Sequence, residues 1–144
     1  MSLVLDTSAT LAWIFMEERT EQVAAVLRQV IADGAWVPSL WRLEIANVLE
    51  MSLRRVRIEA GFRDATLADL ELLPIYTDPD TEKHAWRSTL RIAERHRLTV
   101  YDAAYLELAQ REGVPMATLD SDLIRAARSE GVPLIQAKAR GTRR

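Results

Sequence analysis

Short apolar runs and stretches of helical spacing take turns along this chain. Leu3, Val4 and Leu5 form an apolar run with the texture of a buried strand. It leads directly into Asp6, Thr7 and Ser8, and then into a second apolar stretch over residues 11–16 that reads as a helix. Val23, Val26, Leu27, Val30 and Ile31 follow the i, i+3, i+4, i+7, i+8 spacing of an amphipathic helix, with Thr20 placed to cap it and Asp33-Gly34 to end it. "AWVPSL" predicts a short strand and a turn, with Ser39 capping a long helix that runs to about Arg55. Residues 56–73 read as a helical hairpin or broken helix, "PIYT" (74–77) as a strand, and residues 80–97 as a helix. "VYDAAYLELAQREG" is a further helix, "VPMATLD" a strand, "SDLIRAARSEG" a helix and "VPLIQA" a last strand. The phrases "REGVPMATLD" and "SEGVPLIQA" share one grammar, in which glycine closes a helix and proline opens extended chain. Short apolar strands alternating with helices predict an α/β protein with a parallel sheet.

Composition narrows the class. At 144 residues, 49 % of them hydrophobic and none in a low-complexity or linker-like stretch, the chain reads as one domain over residues 1–137 with a basic tail over 138–144. The absence of cysteine excludes disulfides, zinc–thiolate sites and cysteine nucleophiles. No stretch approaches the ~18 apolar residues of a membrane span, and the start lacks a signal-peptide pattern, so a cytoplasmic protein without a membrane partner is expected. A net charge of −2 argues against a simple basic nucleic-acid coat, although Lys138, Arg140, Arg143 and Arg144 leave the tail basic and the body acidic.

The candidate chemistry lies in the carboxylates. In open parallel sheets ligands sit beyond the carboxyl ends of strands, and Asp6 and Asp120 stand at two such ends, with Asp122 two residues further on. Helix capping is the alternative reading for both strand-end acids. Glu44 falls inside the apolar stripe of Trp41, Ile45, Val48 and Leu49, where a charge is costly unless something pairs with it. Asp102 opens the helix whose inner face is Tyr105, Leu106 and Ala109, and Thr99 to Asp102 also fits a capping box. Four acids gathered in one place repel one another, and a hard divalent cation is the natural compensation. An all-oxygen donor set favours Mg²⁺ or Mn²⁺. Thr7 and Ser8 stand beside Asp6 as supporting hydroxyls, and the set suggests a metal-dependent hydrolase of phosphate esters.

Four segments, "LVLDTSATLAWIFMEE", "PSLWRLEIANVL", "LTVYDAAYLELA" and "MATLDSDL", resemble in order and spacing the signature blocks of PIN domains, in particular those of VapC-type toxins from prokaryotic toxin–antitoxin pairs. The resemblance implies an α/β/α sandwich around a five-stranded, mainly parallel sheet and a Mg²⁺- or Mn²⁺-dependent endoribonuclease. It lays the family's acids on Asp6, Glu44, Asp102 and Asp120, its hydroxyl on Thr7 with Ser8 next to it, and a variable acid on Asp122. It further implies a homodimer silenced by a cognate antitoxin protein.

An RNA substrate has to reach an acidic pocket, so a basic rim is expected. Arg87, Arg91 and Arg95 recur every four residues as a stripe on one helix face, and Arg54, Arg55 and Arg57 form a second cluster. A solvated face with salt bridges to Glu82 or Glu94 is the plainer reading of these arginines. Trp41, Trp86 and Tyr101 are candidates for base stacking, or else core or dimer interface, whereas Trp13 and Trp36 read as core. His84 and His96 lie outside every signature block and read as surface residues, which argues against a histidine base. A haloacid-dehalogenase-like phosphotransferase needs a second Asp at the position Ser8 occupies, and a receiver-like domain needs an acidic pair and a strand-end Lys that are missing. The remaining alternative is a PIN-fold RNA- or protein-binding module without turnover.

Overall fold

In the computed structural model, which describes residues 1–15 and 20–135, the first apolar run becomes an inner strand of a parallel sheet. β1 (Leu3–Leu5) lies between β2 (Ala35–Val37) and β4 (Met116–Ala117), and β3 (Ile75–Thr77) adds outside β2. Every pairing is parallel, with Leu3 opposite Ala35, Ala35 opposite Ile75 and Val4 opposite Met116. Leu3, Val4, Leu5, Met116 and Ala117 are fully buried, as strands covered on both faces must be. Helices flank the sheet in an α/β/α arrangement: α1 (Thr7–Ile14), α2 (Glu21–Asp33), α3 (Trp41–Arg54), α4 (Ala60–Glu71), α5 (Thr81–His84), α6 (Leu90–His96), α7 (Val100–Glu112) and α8 (Ser121–Glu130).

The sheet has four strands among the described residues instead of the expected five. "VPLIQA" is reduced to a bridge at Leu134, in which the Met116 N–H donates to the Pro133 carbonyl at 2.9 Å and the Ile135 N–H donates to the Met116 carbonyl at 3.1 Å. Pro133 has no N–H to extend the ladder. The end of that segment and the basic tail 138–144 lie outside the described residues, as does the predicted helix end at Met16.

Local chemistry explains most element ends. The Thr20 hydroxyl accepts the Val23 N–H and caps α2. Gly34 ends α2 with φ at +83°, where a Cβ would also come within 3.3 Å of the Pro74 carbonyl oxygen, so this turn requires glycine. Ser39 does not cap α3. The helix starts from Leu40 with no side-chain cap, and the Ser39 N–H donates instead to the Thr81 hydroxyl at 3.0 Å. Residues 56–73 contain a single helix, α4. The predicted helix over 80–97 is broken by a π-helical turn at Ala85–Thr89, with Arg87 at φ −121°, ψ −108°.

α7 is the most enclosed helix. Residues 103–109 are buried without interruption, because the sheet, α6 and α8 cover it from several sides. Its charged member, Glu107, is matched by Arg111 one turn on, at 2.9 Å, and Arg111 also grips Asp78 at 2.7 Å and 3.2 Å.

Candidate active site

The strand order β3-β2-β1-β4 means that the chain first grows outward from β1 and then returns across the sheet to place β4 on its other side. Ligands in such sheets bind where the order reverses, beyond the carboxyl ends of the two strands at that point. Asp6 follows β1 there, and Thr118, Leu119 and Asp120 follow β4. The Asp6 N–H donates to the Ala117 carbonyl at 3.0 Å, which clamps the two strand ends together.

Asp6 caps α1 and is also buried, at 4 % exposure. Its Oδ2 accepts the Ser8 hydroxyl at 2.6 Å, the Thr118 hydroxyl at 2.7 Å and, more weakly, the Ser8 N–H at 3.4 Å. Burial nevertheless pushes this carboxyl up from its ordinary value, against the pull of the Ser8 and Thr118 bonds. Thr118, which no sequence signal singled out, accepts the Asp120 N–H at 3.0 Å and so ties the two strand-end acids together. Ser8 reinforces the tie by accepting the Leu119 N–H at 2.8 Å. Asp120 in turn caps α8 by accepting the Leu123 N–H at 3.0 Å, so capping and site geometry coexist at both acids.

Glu44 enters from α3 and is half-buried. Its Oε1 accepts the Thr7 hydroxyl at 2.7 Å and the hydroxyl of Tyr105, a fully buried α7 residue that sequence reasoning placed only in the core. Asp102, one turn before Tyr105, sits in the first turn of α7 behind the Thr99 cap. Its carboxyl is raised to about 6, first by burial and then by the charges of Asp6, Asp120 and Glu44, while a Thr99 hydrogen bond draws it partly back. The predicted acids therefore do come together. Asp122 does not join them, because it is exposed and pairs with Arg125 at 2.9 Å.

A hard cation suits this donor chemistry, because the acids repel one another and present only oxygen. Among the described residues, however, no three Asp, Glu or His side chains already stand as a finished cage for one. Uncompensated repulsion should be visible in the cation-free protein. The unfolded chain releases the Asp102 proton near pH 3.8 and the folded chain near 6, so folding binds a proton between these values and stability falls as pH rises through them. Asp6 shifts in the same direction. Asp78 and Glu130, held below their ordinary values of 3.8 and 4.5, remove stability only at lower pH. Thermal denaturation without divalent cations is expected to give a higher Tm at pH 5 than at pH 7, and a lower Tm at pH 5 would count against the clustering.

The arginines are dispersed. Arg87, Arg91 and Arg95 do not form one stripe, because the kink at Arg87 turns it out of line with α6. Arg95 pairs with Glu130 at 2.9 Å, whereas Arg87 and Arg91 are exposed. Arg54 pairs with Glu50 at 3.3 Å, Arg55 is exposed at the end of α3, and Arg57 lies over the Phe15 ring at 5.3 Å. Trp41 is core, its indole N–H donating to Thr10, while Trp86 and Tyr101 are 91 % and 66 % exposed. His96 is not a surface residue: its side chain is 10 % exposed and bonds Glu130 at 2.6 Å. His84 lies 3.8 Å from Glu107, partly covered.

Sequence comparison matches residues 3–129 to the PIN domain family. The chain is 33 % identical over 127 residues to Ribonuclease VapC3 of Pyrobaculum aerophilum, across 85 % of this chain and 92 % of that protein. It is 26 % identical over 126 residues to Ribonuclease VapC3 of Mycobacterium tuberculosis, across 86 % of each. Among solved structures it resembles PAE2754 from Pyrobaculum aerophilum, with a TM-score of 0.63, 20 % identity and coverage of 95 % and 91 % of the two chains. It also resembles FitAcB from Neisseria gonorrhoeae, with a TM-score of 0.57, 18 % identity and coverage of 94 % and 96 %. At these identities the two structures speak for the fold alone.

Proposed function

The chain belongs to the PIN domain family, and on that premise we propose that it is a divalent-metal-dependent endoribonuclease, the toxin of a toxin–antitoxin pair. One arrangement carries the reading: the Thr118 hydroxyl ties Asp6 to Asp120 at the adjoining ends of β1 and β4, with Asp102 and Glu44 close enough for the acids' charges to raise Asp102. The names of the VapC3 relatives support RNA as the substrate. A cognate antitoxin and a homodimer belong to the same proposal.

Asp6, Asp102 and Asp120 would hold Mg²⁺ or Mn²⁺, with Glu44 as a fourth acid and Asp122 outside the set. When bound, such an ion lowers the pKa of a bound water and stabilises charge on the phosphoryl oxygens and the leaving oxygen. The chain's own part is to keep these carboxylates in place. Ser8 and Thr118 anchor Asp6, the Thr118 hydroxyl fixes the Asp120 backbone, and Thr7 steadies Glu44. Both histidines lie against carboxylates elsewhere, His84 beside Glu107 and His96 on Glu130, so proton transfer by histidine has no place in this scheme. Exposed Arg54, Arg55, Arg87 and Arg91 would supply the basic rim for RNA, with Arg95 contributing less because of Glu130.

The test is cleavage of structured RNA by the purified protein with Mg²⁺ or Mn²⁺ and then with EDTA. Cutting is expected only with the cation and should return on adding excess Mg²⁺. The lack of a finished ligand cage among the described residues favours the alternative of a PIN-fold binding module without turnover. RNA or protein binding with no cutting under any cation would establish that alternative.

A further inference from the structure

Tyr105 is fully buried, yet its hydroxyl reaches the candidate site. A buried tyrosine hydroxyl needs a hydrogen-bond partner, and a backbone carbonyl would serve as well as any. Here the partner is the Oε1 of Glu44, which also accepts the Thr7 hydroxyl at 2.7 Å, while the two hydroxyl oxygens lie 2.8 Å apart. Each hydroxyl has one proton to give. An ionised carboxylate can only accept, so Oε1 receives both protons, or one of them with the second hydroxyl donating to the first; in either case Tyr105 helps to hold that oxygen. These are charge-assisted bonds, the stronger class, and they join three elements: Thr7 on α1, Glu44 on α3 and Tyr105 on α7. Tyr105 lies three residues after Asp102, so the two share a face of α7 and one helix carries both a site acid and the brace for another.

We propose that Tyr105 is a positioning residue that occupies Oε1 of Glu44 so that the glutamate presents Oε2 alone to a bound divalent cation. The proposal rests on the metal-centre reading above and deepens it into a statement about which cation the site prefers. Mg²⁺ demands compact octahedral geometry that leaves little room for a chelating carboxylate, whereas Ca²⁺ accepts more ligands and binds carboxylates through one oxygen or both. A glutamate with one oxygen already engaged suits the smaller ion. Freeing that oxygen would let the carboxylate chelate and would relax the preference.

The test is Tyr105→Phe, which keeps the ring and removes the hydroxyl. RNA-free wild type and variant are titrated calorimetrically with Mg²⁺ and with Ca²⁺, and their RNA cleavage in Mg²⁺ is compared. The ratio of Mg²⁺ to Ca²⁺ affinity is expected to fall about tenfold in the variant, the size that loss of one hydrogen bond to a charged group implies. kcat is expected to fall by a similar factor with KM for RNA unchanged. In a Glu44→Gln background the same substitution should cause little further loss, because Tyr105 acts through Glu44. An unchanged cation preference, or a full additional loss in the Glu44→Gln background, would overturn the proposal while leaving the nuclease reading intact. Wild type that binds neither cation would overturn both. Should Tyr105→Phe fail to fold, Thr7→Val removes the second donor to the same oxygen. The same shift is expected there, and an unchanged preference would again overturn the proposal.

Discussion

Asp102→Asn is expected to abolish RNA cleavage and, in the same protein, to raise the stability of the cation-free fold. Both effects come from one arrangement. Burial and the charges of Asp6, Asp120 and Glu44 hold the Asp102 carboxyl at about 6, so at neutral pH the native state carries a charge it would rather not have. Asparagine has nearly the same shape without the charge. With solvent screening taken into account for a side chain that is only half-covered, the relief amounts to about 1 kcal/mol. The loss of cleavage is far larger. A site that stabilises charge at a phosphoryl group through a bound cation supplies several kcal/mol, and removing one ligand is expected to cost about 100-fold or more in rate. Single-turnover cleavage in Mg²⁺ and thermal melts in EDTA measure the two effects, and the rise in Tm from pH 7 to pH 5 should shrink in the variant. Asp6→Asn gives a useful contrast. It should also end cleavage, but the amide has to turn its one oxygen to the place of Asp6 Oδ2 to keep the Ser8 and Thr118 bonds and bury its NH2 at the other oxygen's place, so less stability is gained. Retained cutting in Asp102→Asn would remove Asp102 from the site, and a lower Tm in EDTA would contradict the repulsion.

Arg111→Met is expected to cause the largest loss of stability. Arg111 meets Glu107 through two bonds of 2.9 Å and Asp78 through bonds of 2.7 Å and 3.2 Å, and the two carboxylates are only 6 % and 4 % exposed. Burial alone would push Asp78 up, but the Arg111 bonds and those from Asp80 and Thr81 together hold it below its ordinary value. Methionine fills similar space but leaves two buried carboxylates without the guanidinium, Glu107 with His84 at 3.8 Å and Asp78 with the Asp80 N–H and the Thr81 hydroxyl. Breaking a buried pair in this way costs about 3–5 kcal/mol, roughly 10 °C or more in Tm for a chain of this size. The defect should ease in acid, because Asp78 loses the Arg111 bonds that help hold it below its ordinary value and its protonation removes one unpaired charge. A Tm within a few degrees of wild type at neutral pH would show that water reaches these groups. The network also joins the turn after β3 to α7, the helix that carries Asp102 and Tyr105, so cleavage should fall along with stability.

How much of this could be read in advance differs from residue to residue. Asp6 and Asp120 were legible because a buried apolar run that ends in an acid before a helix marks a strand end and a cap through neighbouring residues alone. Glu44 was legible as an anomaly in an apolar stripe, but the stripe does not name its partners. Thr118 and Tyr105 gave no signal. A threonine in a strand and a tyrosine on a helix's inner face are ordinary core residues until their hydroxyls find carboxylates. Ser39 and the arginine stripe misled for a related reason. A cap depends on where the backbone turns, and a spacing of four makes a stripe only if the helix stays regular, which the π-helical turn at Ala85–Thr89 prevents.

The sequence by itself determined the alternation of strands and helices, most helix ends and the fold class, and it singled out the four acids as candidates. Each of these depends on periodicity and capping within a few residues. Only the tertiary structure decided that the acids converge, that Thr118 bonds Asp6 across 112 residues, that Thr7 meets Glu44 across 37 and Tyr105 across 98, and that the last apolar segment is a bridge at Leu134 among the described residues. The physical reason is that a hydrophobic pattern fixes which face of an element turns inward. Which polar group waits there is set by the order in which the strands pair, and that order is not a local property of the chain.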